Sequence, residues 1–300
     1  MAGLQIIIPG ADFSDSGIPR NTRYIRGTEL PAAGALGLFL LEEGTPGSVW
    51  SGAFENLVPG TAPGRVFPGW AAPRMRNFGS ARGGFEVPNI NGTLIDTRIP
   101  AQRSQFTMAM VVRTHARRSS VSPYNLIHMT TSDTANNLPA SNEGNLNLIN
   151  SGSIWGMGAA LSNPPGPFIR FGPPISNSGS FTAMTNTLGV QDQWNAIAIS
   201  VDGPAGSARF QSLTDFRTIT DAERGNTLIQ DAFVTNLSQR NGTFLFGGAV
   251  NGPNRDSEGP LVDVMCAAVY GIPHGAAGIE TILRGLAQIA AGRGVAVAGY

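Results

Sequence analysis

The sequence predicts an all-β sandwich, closed by one C-terminal helix and led by a short N-terminal arm. Three observations carry that reading. Glycine (39 residues) and proline (21) are abundant while 13% of residues are charged, a composition of many turns joining short strands, and 41% hydrophobic residues suffice for a core. Several segments are apolar at alternate positions or on both faces of an extended chain, and one segment near the end has helical periodicity. No charge run or Ser/Gly tract divides the chain, so residues 31–300 read as one domain and residues 1–30 as the arm.

Within the arm, Leu4-Gln5-Ile6-Ile7-Ile8 is a β-prone run stopped by Pro9-Gly10 and followed by the polar stretch Arg20 to Arg26. Ile6, Ile7 and Ile8 are too apolar to be left in water. They read either as the first strand of the sandwich or as an attachment arm that pairs with another chain. Leu36 to Leu40 is the next candidate strand. From Pro46 to Pro88 a Pro/Gly-rich stretch carries Trp50, Trp70 and Phe78 among Arg65, Arg74, Arg76 and Arg82. Interleaved bases and aromatics can stack nucleic acid, but 20 basic against 20 acidic residues leave no net attraction to a polyanion or an anionic membrane. An excursion between strands, or a subunit interface, is the better account. All 20 basic residues are arginine, which a GC-rich genome explains most simply, the bidentate bonding of guanidinium to carboxylates being the alternative.

Phe106 to Arg113 is the next strand, and Ser119 to Gly189 reads as a long, loop-rich centre. In Gln193 to Val201, Trp194, Ala196, Ala198 and Ser200 share one face and Asn195, Ile197, Ile199 and Val201 the other. A strand apolar on both faces belongs inside a layered fold, which makes Trp194 and Ile199 core residues. Asp202-Gly203 supplies the pair that tolerates positive φ at a chain reversal. Phe244 to Gly248 and Val262 to Tyr270 are two further strands. A helix from Ala276 to Ala291 then carries Ile279, Ile282, Leu283, Leu286, Ile289 and Ala290 on one stripe, with Gly292 and Gly294 as stops. Its few charges and many small residues fit packing on its own sandwich better than a membrane or partner role.

The order of these segments resembles a laminin-G-like, or concanavalin A-like, lectin/glucanase domain. Trp194 to Gly203 is similar to that family's W-x-x-(hydrophobic)-A-(hydrophobic)-(S/T)-V-D-G strand and turn, Leu245 to Gly248 to its (hydrophobic)-G-G strand, and Val262 to Tyr270 with the helix to its close. Phe106 to Arg113 resembles its F-T-(hydrophobic)-x-(hydrophobic)-x-(hydrophobic)-R strand. The resemblance spans roughly residues 36–293 and implies a concanavalin A-like jelly-roll β-sandwich. Leu4 to Ser14 looks like the (I/V)-(I/V)-P-G-x-D-F-S opening of bacteriophage tail and fibre proteins that carry a lectin-like sandwich behind it.

The chemistry of an enzyme is not legible. Glucanases of this fold carry E-x-D-x-E, two glutamates serving as nucleophile and acid, and that spacing does not occur here. His115 and His128 show no ligand spacing with another His or Cys, and His274 follows Pro273 in a turn. No Gly-x-Ser-x-Gly elbow or phosphate-binding loop is found. Cys266 is the only cysteine, so no disulfide closes within the chain, and its apolar strand makes it a buried inert thiol. Glycan binding needs aromatic platforms and amides or carboxylates for hydroxyls, and the centre offers Tyr124, Asn125, Asn145 and Trp155 for ligand contact. Asn also suits plain turns. Asp256 and Glu258, in the loop before the last strand, are the residues that could hold calcium, with no other cofactor implied. Expected is a bacteriophage virion protein of tail, fibre or spike, a homo-oligomer that contacts other virion proteins and recognises host surface glycan. The alternatives are a free-standing carbohydrate-binding or adhesion module and a glycan-cleaving enzyme. With no secretion signal or apolar run of membrane-spanning length, synthesis in the host cytoplasm is expected.

Overall fold

Alternation in the long strands sorts residues by size as well as polarity. The computed structural model describes residues 30–79, 83–87, 92–115, 124–131, 155–160, 166–171, 182–185, 192–225, 227–235, 242–251 and 262–300. Its strands are β1 (Ala35–Phe39), β2 (Arg65–Val66), β3 (Arg74–Met75), β4 (Phe85–Glu86), β5 (Thr93–Pro100), β6 (Gln105–Thr114), β7 (Tyr124–Thr131) and β8 (Trp155–Ala160). They continue with β9 (Gly166–Phe171), β10 (Thr182–Thr185), β11 (Trp194–Asp202), β12 (Ser207–Ser212), β13 (Phe216–Thr220), β14 (Thr243–Asn251) and β15 (Val262–Tyr270). Short helical turns α1 (Asp221–Arg224) and α2 (Leu228–Gln230) follow β13, and α3 (Ala276–Gly292) follows β15.

All strand pairs are antiparallel, in two sheets. One runs β13-β12-β11-β6-β15-β4-β3, with β1 also paired to β15, and the other runs β10-β9-β8-β7-β14-β5-β2. Between them lies a core rich in phenylalanine: Phe39 meets Phe246 at 5.5 Å between ring centroids, and Phe106 meets Phe244 at 4.9 Å and Phe233 at 5.6 Å. The expected antiparallel sandwich with a C-terminal helix is the one found.

In the first sheet, β11, β6 and β15 are buried on both faces. Ile197, Ile199 and Val201 of β11 join Met108, Met110 and Val112 of β6 in the inter-sheet core. The opposite face carries small residues, Ala196 and Ala198 of β11, Ala109 of β6, and Cys266 and Ala268 of β15, and these pack with Ile279, Ile282, Leu283 and Leu286 of α3. Register sets Ala198, Ala109 and Ala268 directly opposite one another across the three strands. Three methyl groups in a row make a shallow trough, and the large side chains of α3 fill it. Burial pushes the Cys266 thiol up to about 11, the inert state expected of it.

β15 reaches both layers through a bulge. Val264 pairs with Val112 and Cys266 with Val111, so Met265 is the extra residue and turns with Cys266 toward α3. The bulge is held by Arg293, 4% exposed, whose guanidinium donates to the carbonyls of Met265 (3.1 Å) and Leu40 (2.9 Å) and to Glu42 Oε1 (3.0 Å). Arg293 is also the C-cap of α3, where a cation suits the helix dipole. The helix therefore runs through Gly292 and closes at Arg293. Gly294, at φ 79°, is the left-handed residue beyond it.

Three sequence readings change in detail. The turn after β11 is where expected, but its positive-φ residue is Gly206 (φ 57°), not Gly203. Gly203 is needed for space: a Cβ there would meet Phe233 Cβ at 2.7 Å and the Ser104 carbonyl at 2.7 Å. The centre read as loop-rich contains four strands, β7 to β10; its Asn and Gly content had masked them, because pairing between neighbouring strands overrides weak local propensity. The Pro46 to Pro88 stretch is an excursion between strands that wraps the sandwich. Trp50 packs on the inter-sheet core, Trp70 on Phe67, Leu94 and Leu245 outside the second sheet, and Phe78 on Trp194. Arg65 and Arg76 within it pair with Asp96 and Glu86. Residues 1–29, including Ile6, Ile7 and Ile8 of the arm, lie outside the described residues.

The alanine trough is testable. Ala198→Leu is expected to destabilise the chain by about 1–3 kcal/mol, because the added side chain must displace α3 or the strand beneath it. Urea unfolding measures this, and an unchanged midpoint would show that α3 does not depend on the trough.

Candidate ligand-binding surface

The helix-side face of the first sheet extends beyond α3 in both directions, and polar side chains gather at each end. At one end, register aligns five residues across five strands: Arg74, Glu86, Asp263, Arg113 and Trp194. Asp263, 2% exposed, accepts from Arg113 Nε (2.9 Å) and Nη2 (2.6 Å). His115 Nε2 lies 2.7 Å from the same oxygen, and His115 Nδ1 is 3.7 Å from Asp192. Glu86 is held by Arg76 Nε at 2.7 Å. The Arg113 guanidinium stacks over Trp194 (4.9 Å to the ring centroid) and Phe78 (5.7 Å), and the two rings meet edge to face at 4.8 Å. Trp194 is core, as read, and it lies on the helix side rather than between the sheets. Each carboxylate in this row is neutralised by an arginine. The row staples strand ends together, and neither Asp263 nor Glu86 is offered as acid or base to a ligand.

The other end lies near the start of α3. The backbone N–H of His274 donates to Ser200 Oγ (2.8 Å) and Thr107 Oγ1 (3.1 Å), and Thr107 Oγ1 donates to the Ile272 carbonyl (3.0 Å). His274 Nδ1 is 3.2 Å from Thr107 Oγ1, and the ring stands edge to face on Tyr270 at 4.9 Å. This brings hydroxyls and an imidazole together, but Thr107 is fully buried, so the group ties β6, β11 and the turn before α3 and presents no nucleophile. Burial pushes the Tyr270 phenol far up and the His274 imidazole below its usual value.

Next to Ser200 in register stands Arg209 of β12, and next to Arg209 stands Thr218 of the edge strand β13. Ala208, Phe210 and Ile219 point into the core, so Arg209, Gln211, Phe216 and Thr218 lie together on the helix-side face. Arg209 Nε donates to Gln211 Oε1 (2.7 Å) and Nη1 to Thr218 Oγ1 (2.9 Å), while its guanidinium lies 4.3 Å from the Phe216 ring centroid. Gln211 is anchored through Nε2 to the Ala276 carbonyl of α3 (3.3 Å). Phe216 is 58% exposed. Tyr300, 53% exposed, follows Gly299, which packs against Leu213 and Thr214 of the hairpin turn leading into Phe216. The result is an exposed aromatic surface with a fixed guanidinium and two neutral polar groups.

Of the ligand and metal candidates singled out from sequence, Tyr124, Asn125 and Trp155 lie within described strands. Tyr124 and Asn125 open β7 and Trp155 opens β8, in strands rather than loops. Asn125 pairs with Ala159, which lies four residues, about 13 Å, along β8 from Trp155. Asn145, Asp256 and Glu258 lie outside the described residues, and among the described residues no three His, Cys, Asp or Glu converge on a metal position. Arg209, Gln211, Phe216 and Thr218 were missed. The signal for them is alternation carried across a hairpin: Ala208 and Phe210 inward, Arg209 and Gln211 outward, then Phe216 and Thr218 facing them.

No family model and no curated protein matches the sequence. Solved structures do. The receptor-binding domain of botulinum neurotoxin C/D mosaic serotype superposes with a TM-score of 0.52 at 6% identity, over 84% of this chain and 51% of that one. The binding domain of botulinum neurotoxin DC in complex with rat synaptotagmin II gives 0.52 at 11%, over 84% and 52%, and the serotype D binding domain gives 0.50 at 7%, over 84% and 52%. The chain thus spans about half the length of these structures. Identities this low establish the fold, an antiparallel β-sandwich.

Two predictions follow from the polar ends of this face. Asp263→Asn leaves Arg113 without its buried carboxylate and is expected to cost about 1–3 kcal/mol in urea unfolding; an unchanged stability would show that the row is not structural. His274 is held below its usual pKa of 6.5, so the unfolded chain takes up its proton first. Its stabilising effect is whole above about pH 6.5 and is lost as pH falls from there toward the folded value. The thermal midpoint of His274→Gln should therefore fall less than that of the native chain over this window, and parallel curves would refute the assignment.

Proposed function

We propose that this chain is a ligand-binding β-sandwich that recognises surface glycan, working as a tail, fibre or spike component of a bacteriophage virion. One observation carries the binding role: Phe216 is a large exposed ring on a rigid sheet, with Arg209, Gln211 and Thr218 fixed around it. Arg209 stacks on this ring, yet more than half of it stays in water, and the apolar face of a sugar ring covers an aromatic of this kind. The fold supports the same reading, since one neurotoxin domain that shares it is named for receptor binding and another is a binding domain in complex with rat synaptotagmin II. Asp263 and Glu86, committed to Arg113 and Arg76, favour binding over cleavage. The virion setting rests on Leu4 to Ser14 and its likeness to the opening of phage tail and fibre proteins, with Ile6, Ile7 and Ile8 as the anchor.

Labelled full-length protein is expected to bind intact host cells, to lose binding when their surface polysaccharide is removed, and to release no reducing ends from that polysaccharide. Deleting Met1 to Arg26 should leave a folded protein that no longer enters particles. Equal binding to stripped cells would sink the glycan reading, release of reducing ends the non-catalytic one, and normal incorporation of the truncated chain the anchoring role.

A further inference from the structure

Among the described residues most arginines with a defined side-chain partner hold a carboxylate: Arg65 on Asp96, Arg76 on Glu86, Arg113 on Asp263, Arg284 on Glu280 and Arg293 on Glu42. Arg209 departs from the pattern. Its hydrogen-bond partners are the Gln211 amide and the Thr218 hydroxyl, both neutral, and its cross-strand neighbour on the other side is Ser200. Among the described residues the guanidinium is thus immobilised without being neutralised. Two of the five N–H donors that an arginine carries are spent on Gln211 and Thr218, and the others stay available. Stacking on Phe216 fixes the plane of the group. Partial burial lowers its pKa.

An oriented, uncompensated guanidinium beside an exposed ring has a specific complement. A carboxylate is planar and accepts two parallel N–H bonds from a guanidinium. A pyranose ring carrying that carboxylate can pack its C–H groups against the part of Phe216 that Arg209 leaves uncovered while its acid meets the edge of the guanidinium. A nucleic acid would need a run of cations, and the chain has zero net charge.

We propose that Arg209 and Phe216 form the subsite for an acidic sugar, Arg209 binding the carboxylate and Phe216 the ring. This rests on the glycan-binding reading above and narrows it to sugars of the uronic or sialic type. Charge supplies the selectivity and the ring the contact area, so a neutral sugar of the same shape is held only by stacking.

Nuclear magnetic resonance titration of the full chain tests this, following the Arg209 Nε–H and Phe216 ring signals with glucuronate, N-acetylneuraminate, glucose and glucose 6-sulfate. Glucuronate or N-acetylneuraminate should shift both signals and bind at least tenfold more tightly than glucose. Arg209→Gln should reduce the acidic sugar to the affinity of glucose, and Phe216→Ala should weaken acidic and neutral sugars alike. Arg284→Gln, on the exposed side of α3, should change nothing. Equal affinity for glucuronate, N-acetylneuraminate and glucose overturns the acidic-sugar subsite while leaving glycan binding intact, as does full retention of binding by Arg209→Gln. Preference for glucose 6-sulfate over both carboxylate sugars overturns the carboxylate assignment in favour of a sulfated ligand. If none of these sugars moves either signal, the subsite is refuted, whereas the glycan-binding reading stands or falls on the host-cell experiment.

Discussion

Three adjacent strands buried on both faces are the constraint on which the rest of this structure depends. β11, β6 and β15 must satisfy two packing partners of different shape, a facing sheet and a helix. A sheet meets its neighbour across about 10 Å, a gap that large side chains fill. Helix α3 brings its own large side chains, so the strands beneath it carry alanine and cysteine. Both demands are met by one two-residue period, with isoleucine, valine and methionine on one side and small residues on the other. The bulge at Met265 is the one break in that period, and it points two consecutive residues of β15 toward the helix.

Charge is handled with the same economy. Asp263 and Arg293 are almost completely buried, and each belongs to a cluster that pins a discontinuity: Asp263 the meeting of β6 with β15, Arg293 the bulge, the end of β1 and the end of α3. Buried ions contribute little net stability, because desolvation offsets their attraction, but removing one partner is costly. Such clusters define the geometry more than they strengthen it. Asp96 plays the same part in the second sheet, where it accepts from Arg65, Thr243 and the backbone of Arg98 at the irregular pairing of β5 with β14. Against these closed networks, Arg209 stands out as a guanidinium held by neutral groups at the exposed margin of the sheet.

That contrast also sets the proposed binding margin within the fold. The middle of the helix-side face is filled by α3 and one end is closed by mutually neutralised side chains. Among the described residues, what is left open is the margin formed by β12 and β13, where an exposed ring and a guanidinium held by neutral groups sit side by side. Binding there requires no movement of the core, because Gln211 ties the platform to the first turn of α3 and the hairpin register fixes Phe216 and Thr218.

By itself the sequence determined five of the strands, β1, β6, β11, β14 and β15, the helix α3 and the burial of Trp194 and Ile199, since periodicity and apolar content are local properties that survive without knowledge of partners. It determined too that Cys266 is inert and that Asp202-Gly203 begins a turn. Tertiary structure alone decided which face of β11 meets the helix, because that depends on side-chain volume summed over three strands distant in sequence. It decided that Gly206 takes the left-handed conformation while Gly203 serves close packing. It drew β7 to β10 out of a stretch that reads as loops, since strands of weak propensity form when a neighbour supplies their hydrogen bonds. It assembled the Arg209 platform as well: Arg209 and Phe216 are unremarkable as letters, and they become a surface only when a hairpin sets them side by side and the described partners of the guanidinium are neutral groups.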